Sequence, residues 1–85
     1  MRKVGIIQNV TVIRKAIEYR IPQDNHVILT IYNISGQRIS VLKDVLQKAG
    51  NYSITWYATG LPSGLYFCNI KANGYTETRK MLLVK

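Results

Sequence analysis

The sequence is poor in the residues that build chemistry, and each scarcity removes a class of protein. Among 85 residues there is one cysteine, Cys68, and one histidine, His26, so no internal disulfide can close and no four-ligand zinc site can be assembled from that pair. Cys68, inside a Tyr66-Phe67-Cys68-Asn69-Ile70 run, is expected to be a small buried apolar residue rather than a reactive thiol. Only four acids are present. Glu18 and Glu77 fall at exposed positions of alternating strands and Asp24 and Asp44 in turns, which leaves no carboxylate pair for acid–base work. His26 opens a strand straight after a polar turn, with no ordering acid or oxyanion donor around it in the sequence. The six glycines are scattered, and none opens a helix to cradle a phosphate. No catalysis, cofactor or metal is therefore expected.

Long apolar runs are missing too. The longest candidates are residues 27–32, interrupted by Thr30, and residues 81–84, far short of the ~18 apolar residues of a membrane-spanning helix, so no membrane insertion is expected. Met1-Arg2-Lys3 resembles the charged start of a leader, but only Val4-Gly5-Ile6-Ile7 follows before Gln8 and Asn9, where an export signal needs about 7–15 apolar residues. The chain as written is not expected to carry its own export signal.

What is present is a set of short strands. With 47% hydrophobic and 19% charged residues the chain is expected to fold, and its length allows one domain. Ile17, Tyr19 and Ile21 alternate with Glu18 and Arg20 until Pro22 stops the run, and Gln23-Asp24-Asn25 reads as a turn. Residues 26–34 form the strongest central strand, with Val27, Leu29 and Ile31 on one face and Ile28, Thr30 and Tyr32 on the other. Asn33-Ile34-Ser35-Gly36 has turn chemistry and residues 38–42 resume a strand. After a turn at residues 48–51, Tyr52, Ile54 and Trp56 alternate with Ser53 and Thr55, and Trp56 is the natural core anchor. Gly60, Pro62 and Gly64 make residues 58–64 a loop. Asn73-Gly74 then joins a strand at residues 65–71 to one at residues 75–84, because a two-residue hairpin of the I′ type needs positive φ at both central residues.

Turn signals every 8–12 residues without an amphipathic helix predict an all-β fold, an immunoglobulin-like antiparallel β-sandwich of about seven strands spanning residues 16–85. Residues 1–15 read as a separate N-terminal segment and candidate edge strand. Asn9-Val10-Thr11, Asn33-Ile34-Ser35 and Asn51-Tyr52-Ser53 match the glycosylation acceptor pattern, and at least two of the three read as turn chemistry.

Twelve basic residues give a net charge of +8, which raises nucleic acid as a partner. The distribution argues against it. Residues 1–20 hold five basic and one acidic residue (+4), residues 71–85 four and one (+3), and the fifty between them three and two (+1). Tyr52, Ile54 and Trp56 also alternate with small polar residues as a buried face does, rather than standing beside Lys or Arg as a base-stacking platform would.

From Ala16 onward the order Ile17-Glu18-Tyr19-Arg20-Ile21-Pro22, Val27-x-Leu29-x-Ile31-Tyr32-Asn33-x-x-Gly36-Gln37, Ala49-Gly50-x-Tyr52-x-Ile54-x-Trp56, Leu61-Pro62-Ser63-Gly64-Leu65-Tyr66-Phe67 and Thr78-Arg79-Lys80-Met81-Leu82-Leu83-Val84-Lys85 resembles the C-terminal sorting domain of the type IX secretion system, which is related to the immunoglobulin-like domain of the flagellar hook-capping protein. The resemblance implies a non-catalytic β-sandwich at the end of a secreted cargo of the Bacteroidota, recognised in the periplasm by the outer-membrane translocon and often cleaved off by a surface sortase. Carried over by position, it points to Gly64 and Tyr66 in the turn-to-strand motif, Gly74 in the last hairpin, and Arg79, Lys80 and Lys85 as a basic tail. Two departures stand out: residues 9–15 lack the family's Pro-Asn-Pro-Phe-type segment, and Tyr57 follows Trp56 where Asp or Asn is usual. With no leader and no cargo, the chain reads as a fragment, a remnant or an independently encoded module. The alternatives are a structural immunoglobulin-like module of an extracellular or flagellar assembly and, with less support, a basic β-fold that binds nucleic acid.

Overall fold

Alternation along each strand decides which side is buried, and two such faces close on each other. The computed structural model describes residues 14–84, in which six strands are found: β1 (Arg14–Ile21), β2 (Asn25–Asn33), β3 (Arg38–Gln47), β4 (Gly50–Tyr57), β5 (Gly64–Ala72) and β6 (Tyr75–Leu83). β1 pairs with β4 in a two-stranded antiparallel sheet, and the other four form an antiparallel sheet in the order β3-β2-β5-β6. The expected all-β sandwich is thus present, with six strands among the described residues rather than about seven. Most of the candidate edge strand in residues 1–15 lies outside the described residues. β1 itself begins at Arg14.

The core is the set the period-two pattern marks. Val27, Leu29 and Ile31 of β2 and Cys68 of β5 have no exposed surface, and Tyr66 and Ile70 flank Cys68 on the same face. Ile17, Tyr19 and Ile21 of β1 meet them from the other sheet together with Trp56, which is 2% exposed, and the half-buried Tyr52 and Ile54. Each Val, Leu or Ile side chain taken from water into this layer contributes about 1.5–3 kcal/mol before chain ordering is counted. Polar contacts then fix how the sheets sit. The Tyr19 hydroxyl donates to Gln47 Oε1 at 2.7 Å, from β1 to β3, and the Tyr19 and Tyr52 rings stack at 5.5 Å. Burial raises the Tyr19 phenol above its ordinary pKa, so it remains a hydrogen-bond donor.

Turn chemistry stands where the sequence puts it. Asn33 Oδ1 accepts from the N–H groups of Ser35 and Gln37 at 3.0 and 2.9 Å, so this Asn-Ile-Ser triplet is a side-chain-capped turn. Asn51, by contrast, is the second residue of β4 and not a turn residue. Gly74 has φ of 75°, as the Asn73-Gly74 hairpin requires. Asp24 Oδ1 accepts from the Ala49 N–H at 2.8 Å and Asn25 Oδ1 from the Asn73 N–H at 3.2 Å, which ties three turns together at one end of the sandwich.

β3 departs from expectation. It continues past Leu42 to Gln47, and Asp44 lies within it opposite Ile28 instead of in a turn. The register shifts between Leu29 and Thr30 and between Ile31 and Tyr32, and a shift of one residue reverses inward and outward positions. The skipped residues are Ile39 and Leu42. From Lys43 to Gln47 the pairing with β2 is regular, but this end of an edge strand leaves Val45 and Leu46 exposed on its two sides, so the stretch shows no hydrophobic alternation in sequence although it is strand.

Candidate recognition surface

Of the six residues that the sequence nominates, the five that are described, Gly64, Tyr66, Gly74, Arg79 and Lys80, lie on the β5–β6 hairpin, but they do not form one patch. Gly64 opens β5 at φ of 153°, a conformation that L side chains rarely adopt, and pairs with Leu83 of β6. Two residues on, Tyr66 turns inward and is 4% exposed. Its hydroxyl donates to the Pro62 carbonyl at 2.8 Å, and its ring lies 5.4 Å from Trp56 at a 60° tilt. Tyr52 repeats the device one strand earlier, donating to the Lys48 carbonyl at 2.5 Å. In both cases a tyrosine packs its ring against the core, fully for Tyr66 and partly for Tyr52, and uses its hydroxyl to hold the chain four residues upstream. Tyr66 shapes the surface from beneath and does not stand on it.

Arg79 and Lys80 point to opposite sides of β6, as neighbours in a strand must. Arg79 faces the gap between the sheets. Its Nε donates to Glu77 Oε2 at 2.8 Å, and Nη1 donates to the backbone carbonyl of Glu18 on β1, so this guanidinium bridges the two sheets. Tyr75 completes the group by donating to Glu77 Oε1 at 2.8 Å. The Arg79 and Tyr75 hydrogen bonds hold the Glu77 carboxyl below its ordinary pKa, and the same Glu77 contact raises Arg79. Glu77 is therefore not the freely solvated acid that its strand position suggests. Lys80 is exposed on the outer face of the four-stranded sheet, opposite Phe67. Lys85 lies outside the described residues.

The remaining candidates are resolved by placement. Cys68 is fully buried, and burial raises its thiol pKa, which disfavours the thiolate. His26 does have an acid beside it, since Asp44 Oδ1 lies 2.5 Å from Nε2, because the longer β3 carries Asp44 across from β2. Both side chains are half exposed or more, 50% and 61%, and form a surface pair at the edge of the sheet. Among the described residues no group of three or more His, Cys, Asp or Glu could hold a metal ion, and no helix is long and apolar enough to cross a membrane. The Tyr75–Glu77–Arg79 group was legible in principle, because residues two apart share a face of a strand. The partnership with the Glu18 carbonyl depends on the packing of two sheets and leaves no sequence signal.

Two antiparallel sheets with a core closed by aromatic and aliphatic side chains define a small all-β sandwich domain. Residues 9–85 match the secretion system C-terminal sorting domain, and the chain belongs to that family. It carries a C-terminal sorting signal for type IX secretion, which implies export to the cell surface or secretion and interaction with the secretion machinery. The family is one of sorting signals and not a catalytic one. The match begins at Asn9, several residues before the boundary at Ala16 that the motifs suggest. No curated protein and no solved structure matches the chain.

Proposed function

We propose that this sandwich is an address label that rides behind an exported cargo, is engaged in the periplasm by an outer-membrane translocon, and is then a substrate for a surface sortase. The observation that carries the reading is the family match over residues 9–85, which takes in all six strands. Within it the nominated residues divide the work. Gly64, Tyr66 and Gly74 hold the shape of the β5–β6 hairpin, Arg79 locks that hairpin to β1, and Lys80 with Lys85 offers charge to the machinery.

The test is to place residues 1–85 behind a periplasm-directed reporter in a bacterium that has a type IX system. The reporter is expected on the cell surface or in the medium, and retention in the periplasm refutes the proposal. A Lys80→Ala/Lys85→Ala double variant is expected to lower delivery with its melting temperature unchanged.

A further inference from the structure

The two outer faces of the sandwich differ in kind. On the β1–β4 sheet the outward residues are mainly charged or small and polar, Glu18, Arg20, Asn51, Ser53 and Thr55 among them, with the exposed aromatic Tyr57 at one end opposite Arg14. On the β3-β2-β5-β6 sheet aromatic side chains stand side by side. The register places Arg38 opposite Tyr32, Tyr32 opposite Phe67, and Phe67 opposite Lys80, so one row across all four strands reads cation, aromatic, aromatic, cation. At ~4.8 Å between strands this row spans about 14 Å. Next to it Leu65 faces Leu82, which is 59% exposed, and a shallow groove of about 460 Å³ runs from Tyr32 and Phe67 past the polar Asn69, Thr76 and Thr78 to Lys71. A sandwich buries its inner faces and normally shows water a polar exterior, so an apolar strip with charged margins on an outer face marks an interaction site.

We propose that this outer face is the docking surface of the domain, and that its occupant is a protein surface with an apolar ridge between carboxylates. Charge complementarity selects that occupant. Arg38, Lys71 and Lys80 border the apolar strip, and the acid on this face, Asp44, sits in a far corner beside His26. A second copy of a chain with net charge +8 would bring like charges together across the strip. Nucleic acid fits less well, because a backbone-tracking groove needs a continuous line of cations, and here the cations stand at the two ends of the row with Leu65 and Leu82 beside it. The inference rests on the type IX reading and assigns the surface and partner chemistry within it.

The reporter fused to residues 1–85 tests it. Arg38→Glu/Lys71→Glu reverses two margins of the face without touching β6, and Arg14→Glu/Arg20→Glu makes the same charge change on the opposite outer face. The first pair is expected to cut surface delivery at least tenfold and the second less than twofold, with both purified chains melting close to the parent. Equal delivery by the two double variants, while the parent is delivered, overturns the docking surface and leaves the sorting function standing; no delivery of the parent removes both. A photo-crosslinking residue at Val41, on the docking face, is expected to capture a partner peptide that carries Asp or Glu, whereas the same residue at Thr55 captures none. A peptide without acids, a crosslinked dimer of this chain, or a gel shift of single-stranded DNA at low salt overturns the choice of occupant.

Discussion

Tyr66 allows the holding of the fold to be separated from the reading of it. Replacing it with phenylalanine keeps the ring against Trp56 and removes only the hydrogen bond to the Pro62 carbonyl, 2.8 Å long. A net intramolecular hydrogen bond contributes ~0.5–1.5 kcal/mol. Pro62 is exposed, so its carbonyl regains water once the phenol is gone, and the loss should stay near 1 kcal/mol. For a domain of this size that is a fall in melting temperature of about 4–8 °C. Tyr66→Ala also removes the ring, at about 3–5 kcal/mol, against the ~3–5 kcal/mol that so small a core supplies in total, and the chain should be largely unfolded. Far-UV circular dichroism melts measure both, with the buried Trp56 as a second, fluorescent probe. Below its melting range the Tyr66→Phe chain should still deliver the reporter. A variant that melts like the parent yet loses delivery would show that a partner touches the phenol itself, and the account of Tyr66 as an internal brace would fail.

Three further outcomes are expected. Gly74→Ala puts an L residue at φ of 75° with no atom crowding its Cβ, so the cost is backbone strain alone, about 1–2 kcal/mol, read as a lower urea midpoint with unchanged slope. Glu77 has a folded-state pKa below its unfolded one, so the stability it contributes is full above the unfolded value of ~4.3 and is lost as pH falls through the lower folded value. Because the pair is over a third exposed that contribution is under about 1 kcal/mol, and melts at pH 6 and pH 3 should show a smaller acid loss in Glu77→Gln than in the parent; an equal loss places the acid sensitivity elsewhere. Cys68 should resist a thiol reagent in the native state at pH 8 and react fully in denaturant, and rapid native labelling would contradict its burial.

What could be read in advance followed local rules. Val27, Leu29 and Ile31 are buried as their alternation predicts, Trp56 anchors the core, and Asn33 and Asn73-Gly74 turn the chain where backbone chemistry requires. The second half of β3 escaped because this end of an edge strand is exposed on both sides and so carries no hydrophobic alternation, and with it went the position of Asp44 beside His26. The hairpin carrying the nominated residues was legible, yet adjacency in sequence made Arg79 and Lys80 look like one basic feature. A pleated strand sends neighbours to opposite faces, so one became a bridge between sheets and the other a surface charge. The row from Arg38 to Lys80 has no sequence signature, since its members come from four strands whose order is fixed by pairing.

The pairing of β1 with β4 has a consequence for how the domain assembles. β2–β3 and β5–β6 join strands that follow each other directly in sequence, whereas β1 must wait until the chain has passed through β2 and β3 and returned before Ile21 can find Gly50. Closing β2 onto β5, from Asn33 to Tyr66, spans a loop at least as long, so loop entropy does not separate the two pairings. A two-stranded sheet is marginal by itself, however, whereas β2 and β5 each also pair with a hairpin partner. The β1–β4 sheet is therefore expected to close last on a preformed four-stranded platform and to open first, with Arg79 as a latch released at that step. Amide exchange would record this as weaker protection in β1 and β4 than in β2 and β5. A domain with this order of assembly can loosen one sheet while the other keeps its shape.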